Sequence, residues 1–312
     1  KSVALNPYSD NPNASDFSEF HMGYQTSNRS SSTGFDRNYD EGGSFSMAAA
    51  YLTRGTGPVY EWQAPYKNLR SAADVSFSPA LKIDEIIFIP ERKSALDNQA
   101  IKQTVINYGA VSASYVSVEE YYSSDDLSYY LPADYNAGRA PVGSSPVIAT
   151  NHAIAIIGWD DNYSKENFVT EPAGNGAFLC KNSWGTEFAD NGYFYISYYD
   201  GFLGIQEFSM AFGKVSSDKT YKRIYQYDPL GATSAFGYND ELYCANVFPE
   251  NNQKLKKKEQ LGSVSFYTYD SNYNYEVYIV SSFKGKDSLL KLPTPSASGI
   301  CEYAGYHTVN LK

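Results

Sequence analysis

Three stretches in the first third of the chain repeat their apolar residues at the spacing of an α-helix. Ser44 stands at an N-cap position before the alanine-rich segment 45–52. Segment 95–108 carries a second apolar stripe, and a glycine follows it as a stop signal. A shorter helix is predicted at 16–22, with Asp16 as its cap. The first third is therefore expected to contain three helices.

After residue 109 the pattern changes to that of β-strands. Segment 110–118 is predicted to be a strand directly after the second long helix. Segments 153–159, 176–182 and 192–199 are three further strand signals, separated by Gly, Asn and Asp. Three such runs in series indicate an antiparallel meander.

From about residue 214 the helical patterns disappear and short tyrosine-rich strands recur. These strands are predicted at 222–227, 241–248, 262–269, 273–280 and 306–311. Regular short strands with turn residues between them are typical of a β-sandwich. The last strand signal reaches the end of the sequence with nothing after it to pair with, so this domain is expected to be incomplete.

Length and composition indicate a globular protein of two domains. The chain has 312 residues, 42% hydrophobic and 19% charged, and single cores stop growing near about 250 to 300 residues. We predict the fold class α+β, with one domain at 1–213 and an all-β domain at 214–312. No run of about 18 consecutive apolar residues occurs, so no membrane span is predicted.

Charge and residue types narrow the choice of partners. Lys and Arg number 25 against 35 Asp and Glu, a formal charge of −10, which disfavours nucleic acid because phosphate binding needs a basic face. A lysine cluster at 254–258 is interpreted as a solvated loop. No second His or Cys stands at ligand spacing from His21, so neither a metal nor another cofactor is predicted.

Two polar residues at predicted strand ends are the candidate functional residues. His152 stands at the head of the run 153–159, and Asn182 closes the next strand. Either residue alone has an ordinary structural interpretation, as a hydrogen-bonded strand residue or a turn residue. Neighbouring antiparallel strands, however, bring the end of one beside the start of the other, so the amide can orient the imidazole. A catalytic base needs such an orienting group.

Together these blocks resemble the His and Asn blocks of papain-like cysteine peptidases. The residues that carry the resemblance are Asn151-His152-Ala153 with Gly158, and Lys181-Asn182-Ser183-Trp184-Gly185 with Gly192-Tyr193. The resemblance implies a peptidase domain with a helical part and an antiparallel β part. It also implies that His152 pairs with a thiolate, that Asn182 orients it, and that Trp184 covers the hydrogen bond between them.

Three other segments extend the resemblance. Glu41-Gly42-Gly43-Ser44 is similar to the paired glycines with which the family binds an extended substrate backbone, where a side chain would block the approach. Gly42, Gly43 and Trp184 are thus the implied substrate-binding residues. Segment 17–22 is similar to the segment after the nucleophile helix in bacterial members. Segment 225–231 and the strands after it resemble the lectin-like domain of some bacterial surface cysteine peptidases.

The chain departs from the family pattern at the nucleophile. The family's nucleophile is a cysteine that opens a long helix, where the helix dipole and the imidazolium lower the thiol pKa, and a glutamine of the oxyanion hole precedes it. Both are expected before the segment matched by residues 1–22, and neither is present in this sequence. Cys180 lies within an apolar run two residues from Asn182, so it is interpreted as a core residue. Cys244 and Cys301 belong to the second domain, and whether they form a disulfide depends on their geometry.

The predicted function is therefore a cysteine-type endopeptidase with a Cys-His-Asn site whose cysteine lies outside this chain. That cysteine is expected on a separate chain or fragment after processing, or elsewhere in the protein. The alternative is a non-catalytic pseudo-peptidase that binds peptide or cell-wall polymer. The expected partner is a protein or peptide substrate, and the expected location is secreted or on a bacterial cell surface.

Overall fold

The computed structural model describes residues 16–30, 33–66, 77–136, 149–216, 223–235, 237, 241–248 and 260–311. They divide into two compact units, and each is described by itself. The central unit comprises the described residues of Ile87–Gly213. The split unit combines those of Asp10–Ile86 with those of Lys214–Lys312. The predicted domain division at 213/214 stays a prediction.

The described residues contain both helices and strands, which confirms the predicted α+β class. The helices are α1 (Glu19–Gln25), α2 (Phe45–Thr53) and α3 (Gln99–Tyr108). The strands are β1 (Lys82–Ile89), β2 (Val111–Tyr115), β3 (Tyr122–Ser123), β4 (Ser128–Tyr129), β5 (His152–Asp160), β6 (Ala177–Lys181), β7 (Tyr193–Ser197), β8 (Ser209–Ser216), β9 (Ser263–Thr268), β10 (Tyr273–Val277), β11 (Ala297–Cys301) and β12 (Ala304–Asn310). Short 3-10 helices span Glu119–Tyr121, Lys165–Asn167 and Lys286–Leu289.

A sheet in the order β3-β4-β7-β6-β5-β2-β8 forms the body of the central unit. The strands β5, β6 and β7 pair antiparallel in sequence, so the predicted meander is confirmed. Alternate side chains of this meander are buried, including Ile156, Phe178 and Ile196, because successive residues of a strand point to opposite faces. The helix α3 packs against β2 and β5.

The helix α3 begins at Gln99, four residues later than the apolar stripe predicted. Residue Leu96, assigned to the buried stripe, is 69% exposed. The guanidinium of buried Arg92 donates to the carbonyl oxygen of Ala95 at 2.8 Å, and the side-chain amide of Asn98 donates to the same oxygen at 3.2 Å. These bonds hold the preceding segment as a turn, which a helical period in the sequence does not reveal.

The short helix α1 begins later than predicted and has a different cap. The side chain of Ser18, rather than Asp16, accepts a hydrogen bond from the backbone N–H of His21 at 3.0 Å. Asp16 instead contributes its carbonyl oxygen to the N–H of Glu61. The cap predicted for α2 is confirmed, because the Ser44 hydroxyl accepts from the N–H of Met47.

Among the described residues of the C-terminal part of the split unit, three of the five predicted strands are present. The strands β9 and β12 pair antiparallel, as do β10 and β11, which confirms the signals at 262–269, 273–280 and 306–311. Segments 223–227 and 241–248 are not strands, and the predictions there were wrong. Their tyrosine-rich pattern lies on the surface, with Tyr243 64% exposed, instead of against a core. Residue 222 and the cluster 254–258 lie outside the described residues.

The split unit buries a neutral histidine between α1 and α2. His21 Nδ1 lies 2.7 Å from the hydroxyl oxygen of Tyr51, and both side chains are buried. Burial, together with the charge of Arg54, lowers the pKa of His21 to about 4. A protonated ring would carry a hydrogen on Nδ1, so that nitrogen could no longer accept a hydrogen bond. His21 therefore has a structural role, as its position in the sequence indicated.

We expect His21 to weaken the fold as the pH falls from about 6.5 to 4. An unfolded histidine has a pKa of about 6.5, so in this window the unfolded chain takes up a proton that the folded chain does not. Stability is then lost by about 2 to 3 kcal/mol. Denaturant unfolding at several pH values should show this loss in the native chain, with a shallower dependence in His21→Gln. If stability depended on pH equally in the native chain and in His21→Gln, the lowered pKa assigned to His21 would be contradicted.

Candidate active site

His152 is the first residue of β5 and lies opposite Tyr115 of β2. The residue before it fixes the start of the strand. The N–H of Asn151 donates to the Tyr115 carbonyl at 3.1 Å, and its side-chain amide forms two hydrogen bonds with the backbone of Ser117, at 2.7 and 3.0 Å. The Tyr115 ring meets the imidazole edge to face, with 5.7 Å between centroids. The hydrogen bonds of the preceding Asn151 and the contact with the Tyr115 ring therefore both position His152.

Asn182 follows β6 directly and faces the start of the neighbouring strand β5. Its Oδ1 lies 2.9 Å from Nε2 of His152 and accepts a second hydrogen bond, at 2.8 Å, from the N–H of Ser183. Two donors at one atom identify that atom as the oxygen, because the amide nitrogen cannot accept. Nε2 therefore carries the hydrogen, and in the neutral ring Nδ1 has the free lone pair.

Trp184 lies over the pair. Its ring centroid is 4.9 Å from that of His152, with 33° between the planes. Phe188 holds the indole from the side at 4.9 Å, and Phe194 in turn packs against Phe188. Trp184 is 52% exposed whereas Asn182 is 4% exposed. The indole thus packs on the imidazole, and the amide that is hydrogen-bonded to this imidazole is buried.

The turn that carries Trp184 depends on two glycines with positive φ. Gly185 has φ of 86° and Gly192 has φ of 87°, a region that only glycine adopts readily. The N–H of Asn182 donates to the Gly192 carbonyl at 2.8 Å and closes the turn. The Lys181 ammonium donates to the Asn191 carbonyl at 2.8 Å. The turn therefore returns the chain into β7 and leaves the indole over the imidazole.

Cys180 does not supply a thiolate to this pair. Cys180 is buried in β6 between Ile156 and Phe194, and burial raises its pKa far above the ordinary value. The prediction that Cys180 belongs to the core is confirmed. Exposed Cys244 and buried Cys301 belong to the split unit and are both free thiols, not a disulfide.

The predicted substrate-binding glycines belong to the split unit, whereas His152, Asn182 and Trp184 belong to the central unit. Gly42 and Gly43 are exposed and lie just before α2. A Cβ built on Gly42 would meet nothing within 4 Å, and one on Gly43 would meet only the Met47 sulfur, at 3.7 Å. The fold itself therefore does not require glycine at either position.

Sequence reasoning missed the residues that support the pair. Asn151 was named only as part of the motif and Phe188 was not named, since their supporting roles depend on contacts with Ser117 and Trp184. Within the described ranges, no group of three or more His, Cys, Asp and Glu residues could hold a metal ion. The helices of those ranges also include none with the length and apolar character needed to cross a membrane.

Two protein families match the chain. Residues 35–213 match the papain family cysteine protease, and residues 224–312 match the lectin-like domain. A search of curated protein sequences finds no match.

Two solved structures of one clostridial protein are similar over nearly the whole chain. The clostridial cysteine protease Cwp84 after propeptide cleavage has 27% identity and a TM-score of 0.71, over 95% of this chain and 69% of that one. The cysteine protease and lectin-like domains of Cwp84, a surface layer associated protein of Clostridium difficile, have 28% identity and a TM-score of 0.72. That similarity covers 95% of this chain and 62% of the other. This chain thus spans about two thirds of their length.

Proposed function

Because the chain belongs to the papain family of cysteine proteases and carries a lectin-like domain, we propose that it is part of a cysteine-type endopeptidase. The hydrogen bond of 2.9 Å between His152 and Asn182, beneath Trp184, is the observation that supports this proposal. The nucleophilic cysteine comes from outside residues 1–312. The peptidase domain occupies 1–213 and the lectin-like domain 214–312.

In this proposal His152 exchanges a proton with the nucleophile and then with the substrate. Nδ1 takes the proton of the thiol, and the resulting imidazolium stabilises the thiolate. The thiolate attacks the peptide carbonyl to form a thioester, while Nδ1–H gives its proton to the leaving amine. Water, deprotonated by the same nitrogen, hydrolyses the thioester and restores the thiol. The Nε2–H bond to Asn182 keeps the ring in one orientation throughout.

The proposals for substrate binding and for cellular location rest on the same family. Gly42 and Gly43 bind the extended backbone of a protein or peptide substrate, because bare backbone allows close approach. Cwp84 is a surface layer associated protein, and by analogy we propose that this protein is bacterial and is secreted or attached to the cell surface. Neither a metal nor a cofactor has a role in the steps above.

A thiol-directed epoxide probe for papain-like peptidases tests the proposal. We expect the full-length protein to be labelled at one cysteine outside residues 1–312, as identified by mass spectrometry of the digested protein. His152→Ala should prevent labelling, because the thiolate would lose its counterion. The matched control is His307→Asn, a substitution in β12 that should leave labelling unchanged.

Labelling at Cys180 would contradict its assignment to the core. An unlabelled full-length protein that still binds unfolded protein would favour the non-catalytic, peptide-binding alternative.

A further inference from the structure

The segment that contains Gly42 and Gly43 offers its backbone to a ligand. Both residues are exposed, and within the described part of the chain no backbone hydrogen bond uses the N–H or the carbonyl oxygen of Gly43. A bare backbone with free hydrogen-bonding groups suits an extended peptide, which binds through its own main chain. Such a segment must also be held in one conformation, because ordering it on binding would cost about 1 to 2 kcal/mol per residue.

The side chain of Arg37 provides much of that support. Its Nη1 group donates to the carbonyl oxygens of Asn38 at 2.9 Å and Gly42 at 3.4 Å, and to that of Glu41. One guanidinium nitrogen therefore contacts three backbone carbonyl oxygens of the loop that leads into the glycine pair. The Glu41 side chain adds bonds to the N–H and the amide of Asn38, at 2.8 and 3.0 Å.

The other nitrogen of the same guanidinium is anchored at the end of α1. Nη2 donates to the Gly23 carbonyl and to the Thr26 hydroxyl, both at 3.1 Å. A cation at a helix C-terminus also interacts favourably with the helix dipole. The backbone of Arg37 is fixed as well, since its carbonyl accepts from the N–H of Asn28 at 2.8 Å. The anchored guanidinium therefore connects a helix end to an exposed loop.

We propose that Arg37 is a positioning residue for substrate, which fixes the backbone of Glu41 and Gly42 so that Gly42 and Gly43 meet an extended peptide in a preformed conformation. This inference rests on the proposed substrate role of the two glycines. A lysine cannot replace the arginine, because its single ammonium lacks the planar fork that reaches the loop and the helix end together.

Binding of fluorescein-labelled, unfolded casein to the full-length protein, with its nucleophilic cysteine replaced by serine, tests the proposal without hydrolysis. We expect Arg37→Met and Arg37→Lys each to raise the dissociation constant about tenfold. Arg29→Met is the matched control, since Arg29 is exposed and its guanidinium lies over the Tyr39 ring, 5.3 Å from the centroid. The dissociation constant of this variant for casein should lie within about twofold of the native value.

A second measurement separates positioning from loss of structure. Iodoacetamide has no peptide backbone to bind, so its rate of alkylation of the native nucleophile should stay the same in Arg37→Met. Unchanged casein binding in both Arg37 variants would overturn the proposal, as would a parallel loss of casein binding and alkylation. If casein binding depends on Arg37 and the native protein, with its cysteine intact, does not hydrolyse casein, the proposal for Arg37 is upheld and the proposed peptidase is refuted. A native protein that does not bind casein would refute both.

Discussion

Replacing His152 with alanine is expected to lower kcat for peptide hydrolysis by at least about 10³-fold in the full-length protein. The imidazole takes part in every proton transfer of the proposed reaction, and general acid–base catalysis contributes about 10² to 10⁴ by itself. Loss of the imidazolium also removes the counterion of the thiolate. Initial rates on a fluorogenic peptide, at saturating and subsaturating concentrations, would separate kcat from KM.

The control for this experiment is His307→Asn. His307 lies in β12, where its Nε2 is 3.0 Å from the Thr268 hydroxyl, and an asparagine amide can keep a hydrogen bond there. We expect kcat within about twofold of the native value. A His152→Ala protein that retains a tenth of the native kcat, while remaining folded, would contradict the role of His152 as acid and base.

The pairing of His152 with Asn182 could be predicted because it depends on local rules. Two apolar runs in series favour antiparallel neighbours, which brings the start of one run near the end of the other. The hydrogen bond between the two side chains agrees with that expectation. Assignment of the chemistry came from the residues around the pair, above all Trp184 and its glycine turn.

The features that sequence reasoning missed depend on contacts between distant segments. The start of α3 is delayed because Arg92 also donates to the carbonyl oxygens of Tyr198 and Leu203, more than a hundred residues away. Segment 241–248 has the composition of a strand, but a strand also needs a partner for its backbone, and the pattern does not provide one. The prediction was therefore less accurate where a helix cap or a buried arginine determines the structure than where hydrophobic periodicity does.

Buried Arg54 is the residue whose loss should destabilise the split unit most. Its guanidinium donates to the carbonyl oxygens of Gln25 at 2.8 Å, Thr33 at 2.6 Å and Pro229 at 3.0 Å. The side chain of Gln226 donates to the Arg54 carbonyl at 3.1 Å. These bonds join α1 and α2, within or just before the papain-family match, to a segment of the lectin-like match.

We expect Arg54→Ala to lower the free energy of unfolding by about 3 to 5 kcal/mol. The substitution leaves three carbonyl oxygens without their donor, and each buried, unsatisfied group costs about 1 to 3 kcal/mol, partly relieved where water enters. Urea unfolding followed by far-UV circular dichroism would measure the change. The control is Arg29→Ala, which replaces an exposed arginine. Its free energy of unfolding should lie within about 0.5 kcal/mol of the native value. If Arg54→Ala lowered the free energy of unfolding no more than the control does, water molecules would have to replace the guanidinium as donors to the three carbonyl oxygens. The segment around Pro229 would then contribute little to holding α2, and the two matched regions would be expected to unfold separately.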